Sequence, residues 1–99
     1  MHTPSNFKDQ LLLRAIDEVL HYIWDPIGVA GIPQARDEYA GYVASVYSWL
    51  RAGAPESEIS AHLTRIADEN MGLPGREEKS AEAAAVLTDW RDFNAETGV

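Results

Sequence analysis

The chain has 99 residues, 45% of them hydrophobic and 24% charged, the composition of one ordinary globular domain. It contains no cysteine, which excludes disulfides, cysteine-ligated zinc, iron–sulfur clusters and thiol nucleophiles together. Eight Lys and Arg stand against sixteen Asp and Glu, and the net charge of −8 disfavours nucleic acid and anionic lipid and favours a basic partner.

Four stretches with helical periodicity, separated by three short segments containing Gly and Pro, predict an all-α fold. The expected architecture is a single domain, a compact four-helix up-and-down bundle with an apolar WDPIGV loop between helices 1 and 2. Helix 1 is predicted over residues 7–24, after the N-cap candidates of Thr3-Pro4-Ser5-Asn6. Its core stripe is Leu12, Ile16, Val19, Leu20 and Ile23, with Gln10, Arg14, Asp17, Glu18 and His21 on the other side. Pro26 forces the helix to stop at Asp25. Residues 25–34 form a loop whose Ile27, Val29 and Ile32 are expected to pack down onto the helices.

Helix 2 is predicted over residues 35–52, with Tyr39, Val43, Val46 and Leu50 inward and Gly53 as its stop. Helix 3 begins at Pro55, with Glu56 and Glu58 near the positive end of its dipole, and extends to Asn70. Ile59, Leu63 and Ile66 make its buried stripe. Helix 4 is predicted over residues 77–94, with Ala83, Val86, Leu87, Trp90 and Phe93 inward, Glu82, Asp89 and Asp92 outward, and a frayed end over 96–99. No segment alternates as a strand would, and the longest apolar runs, such as Leu11-Leu12-Leu13, fall far short of the ~20 residues of a membrane span. No transmembrane helix and no secretory signal are expected. Residues 1–50 carry three Lys/Arg against six Asp/Glu and residues 51–99 five against ten, so the acidity is spread along the chain.

Trp24-Asp25-Pro26-Ile27-Gly28-Val29, then Asp37-Glu38-Tyr39, then Met71-Gly72-Leu73-Pro74 are the most distinctive segments. In these the chain resembles a group of small bacterial proteins of unknown function that share a WDPIG loop, a DEY helix start and an MGL helix end. The resemblance implies a small helical bundle in a bacterial cytosol and brings no catalytic residues with it. It covers residues 22–74 and leaves helix 4 outside. Where the group often has a second acid after DEY, this chain has Ala40.

Each candidate site has a structural and a functional reading. Asp25 can cap backbone N–H groups of its own loop while Trp24 and Ile27 cover the helix end, or Trp24 and the loop can stay exposed as an anchor. Asp17, His21 and Asp25 at i, i+4 and i+8 could hold a metal or orient a His base, with Asp37, Glu38 and His62 as donors from other helices. A solvated polar stripe is the simpler reading of them, and His2 stands apart near the chain start. Asp37 and Glu38 suit the start of helix 2, where acids complement the dipole, or form an acidic binding spot. Tyr42 and Trp49, seven apart, either pack in the core or form an exposed patch. Ser45 and Ser48 lack a His–acid pair, and there is no P-loop or GxGxxG, so the sequence calls for no cofactor.

The reading favoured by these features is a non-enzymatic, cytoplasmic interaction protein, inhibitor-like or immunity-like by analogy of size and charge. Its expected surface is Trp24, Asp25, Asp37, Glu38, Tyr42 and Trp49, and its expected partner is a basic protein rather than nucleic acid or membrane. The alternative is a small metal-dependent or acid/base enzyme built on the acids of helices 1 and 2.

Overall fold

Leu12, Ile16, Val19 and Leu20 recur at helical spacing, and the computed structural model buries all four at 5% exposure or less. It describes the backbone of residues 7–97 and the side chains of residues 9–95, so the N-cap candidates and His2 lie outside the described residues. Helix α1 spans Phe7–Val19 and continues as a wider, π-type turn over Leu20–Trp24. The turn is sealed by the Asp25 N–H, which donates to the Leu20 carbonyl at 3.0 Å. A turn closed by i→i+5 bonds holds one residue more than an α turn, so side chains beyond it are set back by about one position. Trp24 thereby takes the core place expected for Ile23 and is fully buried. The same shift corrects His21, expected on the polar side, which is drawn in to 2% exposure.

The second helix is shorter than its periodicity suggests. Helix α2 covers Val43–Arg51, and residues 33–42 form successive tight turns instead of its first half. Their bonds run i→i+3, from Arg36 N–H to Pro33 O, Glu38 to Ala35, Ala40 to Asp37 and Tyr42 to Tyr39. Gly41 weakens helix here, and the Tyr39 hydroxyl is held by the preceding loop, as shown below. The inward stripe survives, with Tyr39, Val46 and Leu50 all buried. Asp37 and Glu38, however, are exposed turn residues rather than the opening of a helix, so the dipole no longer accounts for them. Gly53, at φ +86°, ends α2 in the left-handed conformation that glycine adopts without strain.

Pro55 precedes α3, Glu56–Arg65, which continues as a second π-type turn over Ile66–Asn70. Ile59 and Leu63 are fully buried, and Ala67, not Ile66, completes their stripe. Helix α4, Glu77–Thr97, runs through residues 96 and 97, expected to fray, while Gly98 and Val99 lie outside the described residues. Its buried face is Ser80, Ala83, Ala84, Leu87, Thr88 and Asn94. The small residues among them let α4 close on the neighbouring helices, α3 and α1. Thr88 satisfies its buried hydroxyl on the Ala84 carbonyl at 3.0 Å.

Two polar contacts fix the roll of α4. Trp24 Nε1 donates to Ser80 Oγ at 3.3 Å, and Arg91 Nη1 donates to the Ala54 carbonyl at 2.6 Å. Val86, half-buried, still packs against the core, while positions 90 and 93 lie at the outer edge of this face. Trp90 and Phe93, expected in the core, therefore stand 38% and 58% exposed.

The outcome is the expected four-helix bundle, with no strand among the described residues and one core shared by all four helices. The Cα radius of gyration of 13.2 Å matches the ~13 Å of a compact domain of this length. No helix among the described residues is long and apolar enough to cross a membrane. The loop packs only in part: Pro26 is buried and Val29 rests on the core, but Ile27 and Ile32 are nearly half exposed.

The π-type turn makes a testable distinction between neighbours. Trp24→Ala should cost about 3–5 kcal/mol, as for a fully buried aromatic, and Ile23→Ala less than half of that. Urea unfolding measures both, and a larger cost at Ile23 would restore an unbroken α register.

Candidate functional site

The WDPIGV loop is organised by one carboxylate. Asp25 sits at φ 33°, ψ 58°, the only residue other than glycine with positive φ among the described residues. An aspartate tolerates this region better than most residues because its short polar side chain bonds locally. Asp25 Oδ1 accepts from the Gly28 N–H at 3.1 Å, the Val29 N–H at 2.8 Å and the Tyr39 hydroxyl at 2.8 Å. Oδ2 accepts from the Ala30 N–H at 3.1 Å. Tyr39 Oη in turn accepts from the Ile27 N–H at 2.9 Å, and Arg76 Nε donates to the Pro26 carbonyl at 3.3 Å. Burial is the main cause that raises the Tyr39 hydroxyl well above its ordinary value, with the Asp25 carboxylate adding to it and the Ile27 N–H opposing it. The hydroxyl thus stays a donor to Asp25.

This arrangement decides the first candidate. Asp25 is a structural cap, and Trp24, fully buried between Tyr39 and Tyr42 at ring separations of 5.4 and 6.1 Å, offers no surface to a partner. Asp17, His21 and Asp25 do not act together. Asp17 is paired with Arg36 at 3.0 Å, whose guanidinium also lies 5.4 Å from the Tyr22 ring centre. His21 packs edge-on against Tyr22 at 4.5 Å, and its buried Nδ1 has no hydrogen-bond partner. His62 lies on another face, stacked on Trp49 at 4.3 Å with Glu58 3.6 Å away. Among the described residues no three His, Asp or Glu side chains gather where they could hold one metal ion. Tyr42 and Trp49 are both half-buried against the core and have different ring partners, so they form no joint patch.

A second polar cluster escaped the sequence reading. Asp9, 5% exposed in the first turn of α1, accepts from Tyr47 Oη at 3.0 Å and Arg51 Nη1 at 2.8 Å. Burial and the neighbouring Asp9 carboxylate raise the Tyr47 hydroxyl, while Arg51 works in the opposite sense. The spacing of Tyr47 and Arg51 at i, i+4 was a signal for the pair, but nothing local pointed 38 residues back to Asp9. A cleft of about 390 Å³ opens beside it, floored by Leu12 and Leu50 and edged by Arg51 and Arg91. Both guanidiniums there are already engaged, Arg51 with Asp9 and Arg91 with Asp92 and the Ala54 carbonyl.

The outer side of α4 carries two exposed large aromatic side chains, Trp90 and Phe93. Val86, Trp90 and Phe93 follow one another at i, i+4 and i+7, and the two rings meet edge to face at 6.1 Å. Glu78, Glu82 and Asp89 run beside them in solvent. Comparison with models of known protein families, with curated proteins and with solved structures gives no match.

Two outcomes follow from the polar clusters. Asp25→Ala should cost at least about 2 kcal/mol, because it removes a cap and the acceptor of a tyrosine hydroxyl together. Asp25→Gly should be milder by about 1 kcal/mol, since only the alanine is strained at positive φ; thermal unfolding ranks the two, and equal costs would show that the backbone is not held left-handed. Tyr39 and Tyr47 have folded values above the unfolded one, so their contribution is complete below pH ~10 and is lost as pH rises through the folded values. Alkaline unfolding followed by tyrosinate absorbance should begin above that pH, and Tyr39→Phe should flatten it.

Proposed function

We propose that this chain is a non-enzymatic protein-interaction module that binds a basic protein through the outer side of α4, in an inhibitor-like or immunity-like role. The observation that supports this is the pair Trp90 and Phe93, exposed on a helix that also exposes Glu77, Glu78, Glu82, Asp89 and Asp92. Large aromatic side chains grouped on a monomer's surface mark contact sites and act as anchors when a partner covers them. A net charge of −8 speeds the approach of a basic partner and repels nucleic acid and anionic lipid. The contact surface of this proposal replaces the one centred on Trp24, because Trp24 is spent on the core. Asp37 and Glu38 remain exposed and contribute to the same negative field. The resemblance of the WDPIG, DEY and MGL segments to small bacterial proteins supports a bacterial cytoplasm as the place of this work.

A photo-reactive benzoylphenylalanine placed at position 90, and at the exposed position 45 as a control, tests the reading in lysate of the source cells. The expected result is one basic protein joined at position 90 and not at position 45, with the yield falling as salt rises. No product above the control, or an acidic product indifferent to salt, would contradict it.

A further inference from the structure

Two parallel rows run along the solvent side of α4. The half-buried Val86, which also packs on the core, and the exposed Trp90 and Phe93 make an apolar row at i, i+4 and i+7, and Glu78, Glu82 and Asp89 make an acidic row at i, i+4 and i+11. At 1.5 Å rise per residue the apolar row is about 10 Å long, two turns of helix. Val86, Asp89, Trp90 and Phe93 surround a shallow depression of about 280 Å³. That is below the ~300–1,000 Å³ of small-molecule sites, and it is a surface dip rather than an enclosed pocket. It suits one or two aliphatic side chains presented by a larger partner.

Resting on the function proposed above, we propose that the partner lays a basic amphipathic helix along α4. Its apolar side chains at i, i+4 and i+7 occupy the Val86, Trp90 and Phe93 row, and its Lys and Arg lie beside Glu78, Glu82 and Asp89. Both rows repeat with the helical period, which a second helix matches turn for turn. Strand addition would need a sheet edge, and the described residues contain no strand. Charge complementarity selects a basic helix over a second copy of this chain. A copy would bring its own acidic row and a further −8 against these carboxylates. The two described cations on α4 do not relieve that repulsion, because Lys79 is paired with Glu82 at 3.5 Å and Arg91 is turned onto Asp92 and the Ala54 carbonyl.

The test uses the intact chain and three synthetic 18-residue peptides: a helical Leu/Lys peptide with leucines at i, i+4 and i+7, its Leu/Glu counterpart, and a strictly alternating Leu/Lys peptide. Fluorescence anisotropy of each labelled peptide should show binding of the helical Leu/Lys peptide alone. Trp90→Ala and Phe93→Ala should each weaken it about tenfold or more, chiefly through faster dissociation. The triple variant Glu78→Gln, Glu82→Gln, Asp89→Asn should slow association and flatten its salt dependence. All these positions are exposed, and unchanged urea midpoints establish that the variants fold. Equal binding of the Leu/Glu or the alternating peptide overturns the proposal, as does affinity indifferent to positions 90 and 93. A dimer in sedimentation that Trp90→Ala dissociates overturns it in favour of a second copy. If position 90 cross-links a basic protein but the helical peptide does not bind, the helix falls and the protein partner stands; if neither occurs, both fall.

Discussion

Asp25 holds a left-handed backbone immediately after a helix, and its two carboxylate oxygens collect three backbone N–H groups and one tyrosine hydroxyl. The rest of the architecture leans on this. The cap ends the π-type turn at a fixed place, which turns Trp24 into the core. Trp24 reaches Ser80 across 56 residues of sequence and so helps set the roll of α4. The Tyr39 hydroxyl, held by the same carboxylate, keeps residues 33–42 in tight turns and postpones the start of α2 to Val43.

Seen from this interaction, the parts of the fold that could be read from sequence are those governed by uninterrupted periodicity. Leu12, Ile16, Val19 and Leu20, then Val46 and Leu50, then Ile59 and Leu63 all lie where 3.6-residue spacing puts them, with glycine and proline marking the breaks between helices. The structural reading of Asp25 was equally accessible, since a carboxylate just past a helix end has backbone donors within reach. The misreadings share a cause: each depends on a contact distant in sequence or on a change of helical period. Ile23 lost its place to Trp24 and His21 was drawn inward because one turn contains an extra residue. Trp90 and Phe93 stand at the outer edge of a helix whose Ser80 and Arg91 are tied to other segments.

The last shift matters most for function. On periodicity alone, Val86, Trp90 and Phe93 serve equally well as a core stripe, and the alanines beside them look like filler. The physical preference is the reverse, because the buried Ala83 and Ala84 allow close approach of the neighbouring helices, whereas an indole in their place would hold the helices apart. Small residues thus make the tight seam, and the large aromatics are left on a surface whose neighbours are carboxylates. The same rotation that completes the core leaves the apolar row on which the functional proposal rests.

That Trp24 fills the core while Trp90 does not can be measured through the three tryptophans of the chain. Three variants, each keeping one tryptophan and replacing the other two with phenylalanine, would be compared by acrylamide quenching of fluorescence. The expected result is blue-shifted, weakly quenched emission when Trp24 is retained, intermediate quenching for the half-buried Trp49, and red-shifted, strongly quenched emission for Trp90. Emission from Trp90 as shielded as that from Trp24 would contradict it, by placing the aromatic row of α4 inside the bundle.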